Sequence, residues 1–314
     1  MTPLEDSAVG LLFPGQGTQE VGMGHSFREA DTGVREMFQK ADEVLGYELS
    51  RICLEGPVEE LMRADRAQPA IFVVSVAALN ALRRRIPQLK PACAAGLSSG
   101  EWAALHAAGA VGFEDALRIL QARGRFMQEA CETSSGGMTS IIGLPAGGVV
   151  QICRETGVQA ANFNAPLQTV ISGPLDKLTA AEEAARQAGA RRVIRLRVAG
   201  AFHSELMRPA AEKLADFIAG VEFREPQFPV LCNVTGLPHG TPDEIRELMV
   251  RQVCEPVKWV DCMQWMLSHG VEDFLECGPG RVLAGLAKGI DKTVRVLSIP
   301  DHSALDTVAS TFSQ

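Results

Sequence analysis

The segment Ala92-Cys-Ala-Ala95, followed at once by Gly96-Leu-Ser-Ser-Gly100, constrains this chain more than any other stretch. A short, wholly apolar run reads as a strand buried on both faces, the kind a parallel sheet contains. A G-x-S-x-G turn after such a strand, with a helix from about Glu101 to Ala108 stopped by Gly109, is a strand–turn–helix elbow. The glycines are needed where the turn leaves no room for side chains. The central Ser98 is lifted clear of the sheet toward a helix N-terminus, whose free N–H groups suit an oxyanion. The pentapeptide alone leaves two readings about equally open. Ser98 is a nucleophile, or Ser98 or Ser99 merely caps the helix, with Glu101 completing the cap.

The remaining pattern predicts an α/β fold. The apolar run Ala8–Phe13 ends at Pro14-Gly15 and reads as a second buried strand, with helices over 31–45, 68–84 and from Phe113. Between 138 and 198 the pattern changes to strand 138–144, helix 147–155, strands 158–163 and 168–173, helix 175–188 and strand 191–198. That order is βαββαβ, the ferredoxin-like split pattern. It predicts a small domain over 132–200, entered through the polar stretch Cys131–Gly137 and inserted into a large domain of 1–131 and 201–314. The larger pattern resumes with strands 230–234 and 271–277 and a helix from Val282.

With 314 residues, 46% of them hydrophobic, the chain is long enough for both units. A net charge of −8 without a long basic run argues against nucleic acid as the main partner. The eight cysteines are scattered without zinc-ligand spacing and read as buried free thiols; no metal is expected. The stretch Met1–Ser7 lacks the basic region of a signal peptide, and no apolar run is long enough to span a bilayer. A cytoplasmic monomer is expected. The glycine-rich turn Gly15–Gly24 lacks both G-x-G-x-x-G spacing and a Gly-Lys-Ser/Thr ending, so nucleotide binding carries little weight.

A serine nucleophile needs a neighbouring base. His25, His239, His269 and His302 lie in polar or loop-like contexts, and His106 falls inside the helix after the elbow. His203 follows the strand ending near Val198, where α/β sites gather, but it qualifies as the base only if folding brings it to Ser98. Arg123 falls on the core stripe Ala116, Leu120 and Met127, opposite Arg118, Arg125 and Glu129. A buried arginine needs an anionic partner. An internal ion pair, or snorkelling to the rim, is the plain reading; a fork awaiting a substrate carboxylate is the functional one.

Together these residues resemble the malonyl-CoA:acyl carrier protein transacylase family of bacterial fatty acid synthesis, and are similar to the acyltransferase domains of polyketide synthases. The resemblance rests on Phe13-Pro-Gly-Gln-Gly-Thr-Gln19 with Gly22-Met-Gly24, Gly96–Glu101, Arg123-Gly124, Asn162–Pro166 leading to Val170–Gly173, Gly200-Ala-Phe-His-Ser204, Gln252 before Pro256-Val257, and Glu276–Gly280, in that order along nearly the whole chain. It implies a hydrolase-like large α/β domain with a ferredoxin-like small one. It implies malonyl transfer from coenzyme A to acyl carrier protein through an acyl-serine on Ser98, with His203 as base and a backbone carbonyl at Gln252 orienting it. Backbone N–H groups of Gln16 and Ser99 would form the oxyanion hole. Arg123 would grip the malonyl carboxylate; Met127 and Asn162 would complete the substrate pocket, and Phe202 would narrow it against a methyl branch. No cofactor is implied beyond the coenzyme A of the substrate. Two departures stand beside the nucleophile: Leu97 where the family usually has His, and Ser99 where it commonly has Leu. The rival readings are a hydrolase of the same fold, a trans-acting polyketide acyltransferase, and a catalytically silent carrier-binding module.

Overall fold

The computed structural model describes residues 8–312, so the stretch read for a leader lies outside the described residues. Its strands run in chain order as β1 (Val9–Phe13), β2 (Pro91–Gly96), β3 (Gly136–Ile142), β4 (Gln159–Ala165), β5 (Gln168–Pro174), β6 (Arg192–Arg195), β7 (Val230–Leu231), β8 (Asp273–Cys277) and β9 (Arg295–Ile299). Five of them form one sheet in the order β7-β2-β1-β8-β9, parallel throughout. Every residue of β1 is buried, as a central strand covered by helices on both faces requires. The remaining four form an antiparallel sheet in the order β4-β5-β3-β6. Read in chain order within that unit, this is 2-3-1-4, the ferredoxin-like arrangement that the βαββαβ pattern predicts. Helices Ala146–Thr156 and Leu175–Gln187 pack on it around Ile141, Val149, Ile171 and Leu178.

Three elements differ from the sequence reading. The helix expected at 68 begins at Ala64 and takes Pro69 inside it, ending at Arg85. Proline has no N–H for the carbonyl four residues back; that carbonyl, of Asp65, instead lies 3.4 Å from the Tyr47 hydroxyl. The strand expected over 230–234 pairs only at Val230 and Leu231, because Cys232–His239 folds back on it, with Cys232 N–H donating to Leu237 and His239 N–H to Val230. The strand expected over 191–198 stops at Arg195, and Leu196, Arg197 and Val198 line a cavity. Strand β9 and the helix Ala304–Phe312, which close the parallel sheet's edge, were not anticipated.

Strand β4 is joined to the Pro256-Val257 turn by Phe163 N–H to Val257 and Val257 N–H to Ala161, 2.9 and 2.8 Å. All eight cysteines are free and buried, as expected; burial pushes the Cys53, Cys93 and Cys277 thiols up to about 12, which removes the reactive thiolate. No helix among the described residues is long and apolar enough to cross a membrane.

Candidate active site

Strand β2 ends at Gly96, and a single 3-10 turn, Ser98–Gly100, leads into the helix Glu101–Ala107. A Cβ on Gly96 would sit 2.0 Å from Gly100, and one on Gly100 2.3 Å from the Phe13 carbonyl. The elbow therefore closes only with glycine on both flanks. Ser98 adopts φ 53°, a left-handed conformation that costs a non-glycine residue about 1–3 kcal/mol. The surroundings hold it there: the Asn233 side chain accepts from Ser98 N–H at 2.7 Å and donates to Gly96 C=O at 2.8 Å. Neither serine hydroxyl caps the helix, and Glu101 is fully buried instead of completing a capping box.

His203 is brought to the serine. Its Nε2 lies 2.8 Å from Ser98 Oγ, and its Nδ1 2.8 Å from the Gln252 carbonyl and 3.2 Å from that of Glu255. Two carbonyl acceptors require the proton on Nδ1, which leaves Nε2 as a lone pair facing the hydroxyl. Gln252 ends the helix Pro242–Arg251, so its carbonyl sits at the negative end of that helix. Like Ser98, His203 has a left-handed backbone, φ 55°. Burial, and next the Arg123 cation, push its imidazole down to about 4, against the opposing pull of the two carbonyls. At neutral pH it is an uncharged acceptor.

Arg123 is 1% exposed on the helix Phe113–Thr133, on the stripe with Ala116, Leu120 and Met127. No carboxylate lies within ion-pair distance of it among the described residues, so the internal salt bridge is absent. Its Nη1 donates to Gln68 at 2.8 Å and its Nη2 to the Gln252 side chain at 3.1 Å, with Ser98 Oγ at 3.4 Å; its Nε has no partner. Burial pulls the guanidinium down to about 10, which still leaves it charged at neutral pH.

These groups face one cavity of about 380 Å³. Ser98, His203 and Arg123 line it, and so do Gln16, Met127, Asn162 and Phe202. Gln252 stands behind it, and Ser99 is 4% exposed with an unpartnered, buried hydroxyl. Among the described residues, no turn, loop or side-chain hydrogen bond engages the N–H of Gln16 or Ser99. Leu97 also lines the cavity, an apolar side chain beside Ser98. Gln68 and Asn233 were missed in the sequence. Both are polar residues inside apolar runs, the same signal that singled out Arg123.

A serine on a left-handed elbow, a neutral histidine aimed at it and a buried arginine without a counter-ion are the parts that an acyl-transferring α/β enzyme of the serine type requires. The chain belongs to the acyl transferase domain family, whose profile matches residues 11–308. It is 37% identical over 313 residues to the malonyl CoA-acyl carrier protein transacylase of Bacillus subtilis, covering 98% of each chain. Its fold superposes with a TM-score of 0.95 on the malonyl CoA-acyl carrier protein transacylase of Coxiella burnetii, 35% identical, covering 98% of both chains. It also matches, at TM-score 0.94 and 38% identity, a malonyl-transacylase solved with its type II PKS acyl-carrier protein, covering 97% of this chain and 100% of that one.

Proposed function

We propose that this enzyme moves malonyl from coenzyme A to the phosphopantetheine thiol of an acyl carrier protein, in fatty acid synthesis, through a malonyl ester on Ser98. The observation that carries the acyl group is Arg123. A buried cation without a carboxylate partner is costly until an anion arrives, and its Nη2 is 3.4 Å from the nucleophile. The free carboxylate of a malonyl group supplies that anion at the right distance from the reacting carbonyl. The solved complex with a carrier protein supports the acceptor.

In the first half-reaction Ser98 Oγ attacks the thioester carbonyl and its proton passes to His203 Nε2. The oxyanion is held by the N–H groups of Gln16 and Ser99. Collapse breaks the C–S bond, and His203 returns the proton to the departing thiolate of coenzyme A. In the second, the carrier thiol gives its proton to His203 and attacks the ester, and Ser98 takes the proton back. Gln252 holds the imidazole through its carbonyl. Met127 and Asn162 shape the pocket, and Phe202 beside His203 leaves little room for a branched acyl group. These steps call on no metal or cofactor. We further place 132–200 as an inserted unit within 1–131 and 201–314, and assign a monomeric, cytoplasmic enzyme.

The test is intact mass across a panel of acyl-CoA thioesters. Malonyl-CoA is expected to leave a malonyl adduct that carrier protein discharges onto its own thiol. Rapid discharge to water with no transfer would identify a hydrolase instead. The pH dependence offers a second check. The base works unprotonated, and its pKa lies below the ordinary histidine value, so kcat/KM for malonyl transfer should stay level below pH 6.5 and fall only toward about 4. An acidic limb centred at the ordinary histidine value would show that His203 is not the base, or is not buried in solution.

A further inference from the structure

Behind Ser98 lies a buried polar set that the proposed reaction does not itself use. The side chains of Glu101 and His239 are both fully buried, and His239 Nε2 donates to Glu101 Oε1 at 2.6 Å. The other Glu101 oxygen accepts from Asn233 N–H at 3.1 Å and from Gln252 Nε2. Three donors hold this carboxylate, and among the described residues no lysine or arginine lies within ion-pair distance of it.

The consequence reaches the pocket through Gln252. Its Nε2 is claimed by Glu101 and by Ser98 C=O at 3.1 Å, so its Oε1 must point the other way, to Arg123 Nη2 at 3.1 Å. A reversed amide would set oxygen against carboxylate and N–H against guanidinium, so the Glu101 carboxylate decides the amide's direction. His239 in turn saturates Glu101 Oε1. Without that donor the carboxylate has an empty acceptor in a dry site, and Arg123, whose charge already interacts with Glu101, is a cation able to fill it. An ion pair between Glu101 and Arg123 would take the fork away from substrate.

Cys232 lies within the same cluster, with ligand atoms of Glu101, Cys232 and His239 all within 4.8 Å of one another. A metal is not what the cluster points to. The Glu101–His239 hydrogen bond already engages His239 Nε2 and Glu101 Oε1, and burial keeps the Cys232 thiol up at about 12, away from the thiolate a metal would need.

We propose that His239 is a positioning residue for acyl selectivity: by holding Glu101, it keeps the Gln252 amide in register and leaves Arg123 free for a dicarboxylic acyl group. This rests on Arg123 being the malonyl fork. The test compares His239→Leu, His239→Asn and His239→Gln with the wild-type enzyme. Malonyl and acetyl transfer from coenzyme A to holo carrier protein are measured as separate kcat and KM values, alongside thermal unfolding. Losing one hydrogen bond to a buried charge corresponds to a factor on the order of tenfold. His239→Leu should therefore lower the malonyl-to-acetyl ratio of kcat/KM at least about tenfold, mostly through the malonyl KM. His239→Gln, whose amide reaches Glu101, should restore the ratio to within about threefold. If His239→Leu does not fold, the Asn and Gln pair carries the same comparison, since the Asn amide is too short to reach. A malonyl preference that survives in His239→Leu or His239→Asn, or equal losses for both acyl groups, overturns the proposal alone. A wild-type enzyme with no malonyl preference overturns the reading of Arg123, and this proposal with it.

Discussion

Ser98→Ala is expected to lower malonyl transfer by on the order of 10⁴-fold or more and to leave no acyl adduct on the protein. The expectation follows from the geometry of a single hydroxyl. Ser98 Oγ is 2.8 Å from the only imidazole in the cavity, and the adjacent Ser99 hydroxyl is buried away from it. The Ser99 oxygen is therefore not placed to take over. His203→Ala should cost a similar factor, and the double variant little more, because nucleophile and base act as one unit. Transfer kinetics with intact mass on each variant check this. A malonyl adduct retained by Ser98→Ala would place the covalent chemistry elsewhere.

Arg123→Met is expected to lower malonyl transfer on the order of 10²- to 10³-fold, the equivalent of a lost buried charge pair. Acetyl transfer should fall less than about tenfold, since acetyl has no carboxylate to lose. The methionine keeps the volume and the apolar stem, which separates charge from packing. Removing the cation also removes one of the two causes that depress the His203 imidazole, so the acidic limb of acetyl transfer should move upward in pH. Steady-state kinetics with both thioesters decide the matter. Equal losses for malonyl and acetyl would make Arg123 a structural residue, held for Gln68 and Gln252.

Much of this was legible in the sequence because the signals were local. Strand–glycine–serine–glycine–helix spells the elbow within ten residues, and one arginine on an apolar stripe spells a buried cation. The βαββαβ order of the small sheet followed from periodicity alone. What stayed hidden depends on distant pairing. His239 sits in a short polar loop that looks exposed, and its neighbour Leu237 is indeed 57% exposed. Only the fold-back of Cys232–His239 onto Val230 turns the imidazole inward to Glu101. The same fold-back shortens β7, whose apolar run over 230–234 promised a longer strand. Likewise Glu101 reads locally as the residue that completes a helix cap. It is instead a buried acceptor because Gln252, Asn233 and His239 converge on it from elsewhere in the chain.

The left-handed conformations of Ser98 and His203 have a consequence for how this protein can change. They are the only non-glycine residues described with positive φ. On the proposed mechanism, a glycine at either position would relieve the backbone and remove the reaction in the same substitution. Thermostability and turnover are therefore opposed at these two peptide units. Any gain in robustness that keeps the enzyme working has to be found away from them, in surface helices and loop ends. The proposed acyl transfer thus holds two left-handed peptide units in place.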